Sequence, residues 1–481
     1  MSSGPYLLYR EVSPTSNIHA SCFFTPRGRR SKGGGAFEGL EYLFTSATSA
    51  VTIYRVHRGE KADDVQLVQA FHSALYGKVQ DVKIFCPPSH AGMQEELLVL
   101  SLDAGKFCML RFDTDTATLD PVNVYNSQEN ALGTGAVVKG DTHGHLQFGG
   151  TGLEPPVIVS DDHSLGCSVV YGTQLFLFPL QTRSGSSKEG GGANKEGGAT
   201  NNVGKDGSIP FLYDLQESLH MQGDIIDVCF VQGYGKPTLA VLQEAQSLPL
   251  GHAKDRRHIC RVTALAIDTV SRTASKLWQQ DSLPHDSLRL LSLKQSSLLQ
   301  SGHLLLISLN AVLILSSDRV VGAATNGFAA INVANHIMLQ MWPYDSGVEL
   351  DGSHWLEAGP RAIVGTLKDG RTLGLQFTGL LDNAVALDYL RFQFSFLEEI
   401  PSATSTCCSN SSGDLWFLGS RQAKGSLLLV DKTDAKLSAK DTKVVAEHMV
   451  RSYETAEKQA LSALSASGPP AATAAAVKKE E

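Results

Sequence analysis

The groups in this 481-residue chain whose types and spacing come nearest to reactive chemistry are the paired imidazoles of Asp141-Thr-His143-Gly-His145 and the triplet Asp161-Asp162-His163. A metal would need ligands beyond His143 and His145 that no local spacing supplies, so a solvated loop is the favoured reading. Asp161, Asp162 and His163 put carboxylates beside an imidazole, which is the equipment for proton transfer, although acidic pairs ahead of a strand usually form a polar turn. Gly235-Lys236-Pro237-Thr238 looks like part of a phosphate loop but lacks the GxxxxGK[ST] spacing. Pro237 also removes a backbone donor that phosphate would require, so the segment reads as a turn entering a strand. GxSxG, HExxH, GxGxxG ahead of a helix and an EF-hand loop are all missing. The expectation is a protein without cofactor, metal site or enzymatic activity. An enzyme using Asp161, Asp162 and His163 is the remote alternative.

Two basic clusters carry a different chemistry. Arg27, Arg29, Arg30 and Lys32 lie in a Gly-rich segment, and Lys254, Arg256 and Arg257 lie with His258 and Arg261 between two strand-like runs. Arginine-rich flexible segments hold RNA phosphates, but they also serve as solubilising loops, and neither cluster has the interleaved aromatics of a base-stacking platform. Trp278, Trp342, Trp355 and Trp416 are dispersed, with packing in a core as their default role.

The elements that would position these groups repeat along the chain. A short apolar strand, a tight turn and a second strand recur seven times, at 42–45 with 51–56, 97–102 with 106–112, 167–171 with 174–179, 238–243 with 261–267, 303–308 with 311–316, 361–367 with 371–377 and 415–419 with 425–430. Turns such as Asp103-Ala-Gly105, Gly172-Thr173, Leu309-Asn310 and Lys368-Asp-Gly370 supply Gly, Asn or Asp where a hairpin needs them. Successive hairpins start 54 to 71 residues apart. Further strands are expected at 66–71, 79–85, 157–160, 225–230, 289–293 and 387–394, giving about four per unit. Gly77-Lys-Val-Gln-Asp-Val82 and Gly223-Asp-Ile-Ile-Asp-Val228 echo one another, each upstream of a hairpin.

A sandwich or a pair of β-domains also contains many short strands. Seven roughly equal units suit radial closure, which protects edges that an open array exposes. The expected fold class is therefore all-β: a seven-bladed β-propeller over residues 6–430, with inserted flexible loops and a partly helical, low-complexity C-terminal tail at 431–481. The Gly/Ser/Asn tract 184–208 reads as a flexible insertion within the propeller.

Composition agrees with a folded protein, 42% hydrophobic and 19% charged. Its formal net charge of −8 argues against a surface that grips nucleic acid all round. The N-terminus lacks the basic start and apolar run of a secretory signal, so export is not expected. The longest apolar run, 304–315, is broken by Ser308 and Asn310 and falls short of the roughly 20 residues of a membrane span. Eight cysteines without CxxC spacing read as reduced thiols of a cytosolic or nuclear protein.

Several ordered segments resemble the N-terminal region of the largest subunit of cleavage and polyadenylation specificity factor. They are Asn17-Ile-His-Ala-Ser-Cys-Phe-Phe24, Leu97-Leu-Val-Leu-Ser-Leu-Asp103, Val170-Tyr-Gly-Thr-Gln-Leu175, Phe230-Val-Gln-Gly-Tyr-Gly-Lys-Pro-Thr-Leu239, Trp278-Gln-Gln-Asp-Ser-Leu-Pro284, Leu309-Asn310 and Leu418-Gly-Ser-Arg421. The same superfamily includes the damaged-DNA-binding adaptor of ubiquitin ligases and a large spliceosomal subunit, and these set the alternative functions. Gly-Tyr-x-x-Pro-Thr-Leu and Trp-x-x-x-Ser-Leu-Pro favour polyadenylation. The resemblance implies a non-catalytic nuclear scaffold of pre-mRNA 3′-end processing, with other subunits of that machinery as partners and pre-mRNA as a further one. It implies no membrane and no small-molecule substrate. Arg27, Arg29, Arg30, Lys32, Lys254, Arg256 and Arg257 are its candidate phosphate contacts. Where the family has a short Gly-Asp or Gly-Asn-Ser turn after Gly-Ser-Arg, this chain has Gln422-Ala-Lys-Gly425, which puts any contact made by that turn in doubt. Family members are far longer, so the chain is expected to carry the first propeller and the start of a charged linker, as a fragment, a truncated gene model or one piece of a split subunit.

Overall fold

Seven sheets succeed one another along the chain, each built from consecutive strands. They are seen in a computed structural model that describes residues 17–26, 40–47, 50–59, 65–75, 77–87, 95–102, 105–127, 157–160, 164–170, 172–180, 210–245, 258–293, 302–329, 333–334, 337–341, 348–359, 362–379, 390–396, 406–410, 413, 415–421, 425–430 and 442–444. Blade I contains β1 (Ala20–Phe24), β2 (Tyr42–Ser46), β3 (Ala50–Arg58) and β4 (Val65–Ala74). Blade II contains β5 (Val79–Phe85), β6 (Leu97–Leu102), β7 (Lys106–Asp113) and β8 (Thr118–Asn126). Blade III contains β9 (Val157–Val159), β10 (Leu165–Val170), β11 (Gln174–Pro179) and β12 (Phe211–Asp214), followed by the short helix α1 (Leu215–Leu219). Blade IV contains β13 (Ile225–Val231), β14 (Thr238–Glu244), β15 (Cys260–Asp268) and β16 (Thr273–Leu283). Blade V contains β17 (Ser287–Ser292), β18 (Leu304–Ser308), β19 (Ala311–Leu315), β20 (Val320–Ala324) and β21 (Met338–Met341). Blade VI contains β22 (His354–Gly359), β23 (Ala362–Thr366), β24 (Thr372–Gly379) and β25 (Leu390–Phe396). Blade VII contains β26 (Thr406–Ser409), β27 (Leu415–Gly419), β28 (Ser426–Val430) and β29 (Thr442–Val444).

The expected propeller is present, and each of the seven hairpins read from the sequence is the central pair of one blade. Four strands per blade holds except in blade V, where β21 adds a fifth strand, parallel to β20. The central strands are apolar on both faces because each blade packs against a neighbour on either side; β2, β6, β18 and β19 are buried almost throughout. Outer strands face solvent and mix residue types. In β16 only the final Leu283 is fully buried, which is why such strands give a weaker sequence signal.

Apolar seams join the blades. Phe44, Leu98 and Phe112 contribute to the core between blades I and II, and Phe107, Phe176 and Phe178 stack between II and III. Leu177, Val228 and Leu239 pack between III and IV, Leu242, Leu306 and Leu313 between IV and V, and Ile314, Trp355 and Leu375 between V and VI. Blade VI meets blade VII where β22 lies beside β26, and Phe417 with Leu43 and Phe23 joins VII back to I. Side chains add directional bonds across the same seams: the Tyr125 hydroxyl donates to Pro179 O (2.6 Å) and Gln280 Nε2 donates to Ser316 O (2.9 Å). Trp355 and Trp416 are buried core residues, as expected of them.

Because successive strands are antiparallel, the inner strand of every blade starts on one face, here termed the entry face, and the turns between second and third strands return to it. There the turn carbonyls tie blades together. Ile225 N–H donates to Gly172 O (2.9 Å), Leu350 N–H to Leu309 O (2.9 Å) and Ile18 N–H to Ser420 O (3.0 Å).

The echo between 77–82 and 223–228 has a structural basis. Gly77 and Gly223 both have positive φ (142° and 97°), and in each strand a β-bulge follows, between Val79 and Asp81 and between Ile225 and Asp227. A side chain at Gly223 would bring its Cβ to 1.6 Å from Glu244 O. Blades II and IV share a second device. Asp113 accepts from Asp115 and Thr116 N–H, Asp268 accepts from Val270 and Ser271 N–H, and hydroxyl pairs Thr116/Thr118 and Ser271/Thr273 close the two turns.

Gly223→Ala is expected to lower unfolding free energy by about 2 kcal/mol or more, through positive φ and the clash with Glu244 O. Gly235→Ala, with nothing within 4 Å of the added Cβ, is expected to change it by less than about 0.5 kcal/mol. Denaturant unfolding of both variants checks the difference.

Candidate functional site

The inner strands bring charged groups to the entry-face mouth of the channel that none of the sequence patterns assembles. Asp81, Asp227 and Arg289 each follow a bulge near the start of β5, β13 and β17, and His354 is the first residue of β22. Arg421 lies in the turn between β27 and β28, next to the Ser420 carbonyl that holds Ile18. Lys83 is two residues deeper than Asp81 and pairs with it at 3.5 Å. Charges that act on groups of several blades belong to the inner strands that line the central channel. Arg289 acts electrostatically on Asp227, His354 and Cys407, of blades IV, VI and VII, and Lys83 of blade II acts on Cys22, Asp227 and Cys407.

The two carboxylates are held by backbone. Asp81 Oδ1 accepts from Val82 N–H (2.8 Å), and Asp227 Oδ2 accepts from Leu290 N–H of the next blade (2.7 Å). Burial raises the Asp227 carboxyl to about 6, against the Leu290 hydrogen bond and the charges of Arg289 and Lys83. The Asp81 carboxylate raises Lys83 above its ordinary value. Burial first, and then the Arg289 and Arg421 charges, push His354 down to about 3, so its ring is neutral at physiological pH. Among the described residues the side chains of Arg289, His354 and Arg421 make no hydrogen bond or ion pair, so their donors are unspent.

All eight cysteines are free thiols. Burial pushes Cys407 and Cys408 up to about 12, so both are protonated at neutral pH and poor nucleophiles. Asn410, after β26, is buried and donates from Nδ2 to Glu41 Oε2 (3.3 Å).

On the opposite face, Gly233-Tyr234-Gly235-Lys236-Pro237 forms the turn into β14, as read from the sequence, and lines a hollow of about 220 Å³ with Ser160 and Phe230. Lys236 Nζ is paired with Asp268 (3.2 Å), leaving no free ammonium for a phosphate. Trp278 Nε1 donates to the Tyr234 hydroxyl (2.8 Å), so the two segments most telling for the family resemblance touch in space.

Asp141, His143, His145, Asp161, Asp162 and His163 lie outside the described residues, as do Arg27, Arg29, Arg30, Lys32, Lys254, Arg256, Arg257, Trp342 and the 184–208 insertion. The described neighbours of the first basic cluster, Pro26 and Leu40, join β1 to β2 on the face opposite the entry face. Those of the second, Ala245 and His258, join β14 to β15 on the entry face. Among the described residues no helix is long and apolar enough to cross a membrane.

Fold and site together define a seven-bladed β-propeller whose chemically distinct surface is a polar channel mouth. Over 371 residues, 75% of its length, the chain is 24% identical to cleavage and polyadenylation specificity factor subunit 1 of Drosophila melanogaster. It is 25% identical over 373 residues, 76% of its length, to the subunit of the same name in Arabidopsis thaliana. The chain spans 23% of the length of each of these curated relatives. No protein-family model matches it. The similarities and the seven blades fit an N-terminal propeller region of that subunit.

Asp227 titrates above its ordinary value of 3.8, so the native state retains a proton that the unfolded chain releases between about pH 4 and 6. The stability contribution of this group is complete below that window and is lost as pH rises through it. Asp227→Asn keeps an acceptor for Leu290 N–H and removes the titration. The variant is expected to gain about 1 to 2 kcal/mol relative to the native chain between pH 4 and 7, measured by denaturant unfolding at each pH.

Proposed function

We propose that this chain is a non-catalytic docking subunit of the nuclear machinery that cleaves and polyadenylates pre-mRNA. The observation that carries the reading is the similarity to two subunits of that name over three quarters of the chain. A rigid ring supports it physically. Blades locked by apolar seams hold turns and edges in fixed relative positions, so partners bind a preformed surface and lose less free energy to ordering. Its partners are other subunits of the machinery, and pre-mRNA contacts, where made, come from Arg27, Arg29, Arg30, Lys32, Lys254, Arg256 and Arg257. Such contacts are electrostatic and weaken steeply with salt.

Affinity capture of the tagged chain from its own nuclear extract, with and without ribonuclease, tests this reading. Recovery of cleavage and polyadenylation subunits after ribonuclease treatment is expected. Recovery of a cullin or of splicing factors in their place would transfer the propeller to another pathway, and turnover of a nucleic acid or sugar substrate by the purified chain would remove the non-catalytic assignment.

A further inference from the structure

The channel mouth is electrically lopsided. On the side of blades II and IV it carries Asp81 and Asp227, both engaged with backbone N–H groups, together with Lys83 paired to Asp81. The side of blades V, VI and VII carries Arg289, His354 and Arg421, whose donors have no partner among the described residues. Arg421 is exposed, and Arg289 and His354 are half-buried, so a ligand can reach all three from the entry face. The three stand on consecutive blades at the entry face, Arg289 and His354 at the starts of the inner strands β17 and β22 and Arg421 in the turn after β27, and burial, with the two guanidinium charges, keeps the imidazole neutral and able to donate one hydrogen bond.

Convergent unspent donors beside a half-buried wall are the ordinary means of holding a carboxylate, and a guanidinium does so with two parallel N–H···O bonds. We propose that Arg289, His354 and Arg421 form a binding site for a carboxylate of an acidic peptide segment, presented by a partner protein at the entry-face mouth of the channel. Charge complementarity selects this occupant over a nucleic acid strand. One or two carboxylates match the basic wall, whereas successive phosphates crossing the mouth would meet Asp81 and Asp227. The site belongs to this propeller's own donors and does not depend on which assembly the chain joins.

Fluorescence anisotropy on the purified full chain tests it, with a labelled oligoglutamate peptide as probe and oligoglutamine and oligouridine as comparison arms. Oligoglutamate is expected to bind saturably, oligoglutamine is not, and the combined Arg289→Gln and Arg421→Gln substitutions are expected to weaken oligoglutamate binding about tenfold or more. Arg421→Gln alone, in an exposed turn, serves if the double variant fails to fold, and should weaken binding about threefold or more. A second readout is the His354 ring resonance by NMR, which is expected to move as oligoglutamate is added. Absence of oligoglutamate binding, binding unaltered by the Arg421 substitution, or an unmoved His354 resonance at saturation would each overturn the proposal. Tighter binding of oligouridine with the same dependence on Arg421 would overturn it too, by giving the mouth to nucleic acid.

Discussion

The ring exists only because blade VII closes onto blade I, and it does so without exchanging a strand. Among the described residues, blade I takes its four strands from residues 20–74 and blade VII from residues 406–444, and no shared ladder joins them. Among the described residues, side-chain contacts and the backbone bond from Ile18 N–H to Ser420 O fasten them. Ile18, Phe23, Leu43, Leu415, Phe417 and Leu427 are buried together, each contributing on the order of 1 to 2 kcal/mol. Gly419 permits that approach, since a Cβ there would stand 2.8 Å from Ile18 Cγ2 and 2.6 Å from Thr406 Cγ2. Polar contacts at the seam, among them Ser21 Oγ with Thr406 Oγ1 (3.2 Å), Asn410 Nδ2 to Glu41 Oε2 (3.3 Å) and Ile18 N–H to Ser420 O, contribute about 1 kcal/mol each. Apolar burial therefore dominates the closure, and the hydrogen bonds set its register.

That closure reaches the mouth directly. Ser420 precedes Arg421, and Cys407 and Cys408 of β26 lie against Ser21 and the rest of β1. A seam that opened would release the turn carrying Arg421 from the Ile18 N–H that holds its Ser420 carbonyl. The docking surface is thus a consequence of ring geometry, with donors from three blades that are far apart in sequence.

How much of this could be read from residues alone follows from burial. The central strands were legible because both their faces are apolar, as in Leu304–Ser308 and Ala311–Leu315. Outer strands were legible only in part: 66–71 and 387–394 correspond to those of blades I and VI, whereas Thr273–Leu283 gave no signal, because solvent on one side leaves a mixed pattern. The Gly77 and Gly223 echo marks a real bulge, and the matching turns at 113–118 and 268–273 share Asp, Thr, a hydroxyl residue and Thr at equal spacing, a pattern of polar residues too common to stand out before the turns are seen. Contact between Tyr234 and Trp278 joins in space two fragments of the family resemblance that are far apart in the chain. The mouth was illegible except at Asp81 and Asp227, since Arg289, His354 and Arg421 carry no local motif and meet only when seven units close.

Amide hydrogen exchange at Ile18 is the most direct test of that closure. Its N–H makes a backbone bond across the seam between blades I and VII, and a closed ring gives it protection matching that of Ile225 and Leu350, which make the equivalent bond between other blades. Exchange at Ile18 as fast as that of an unstructured amide, with Ile225 and Leu350 still protected, would show an open ring and contradict it.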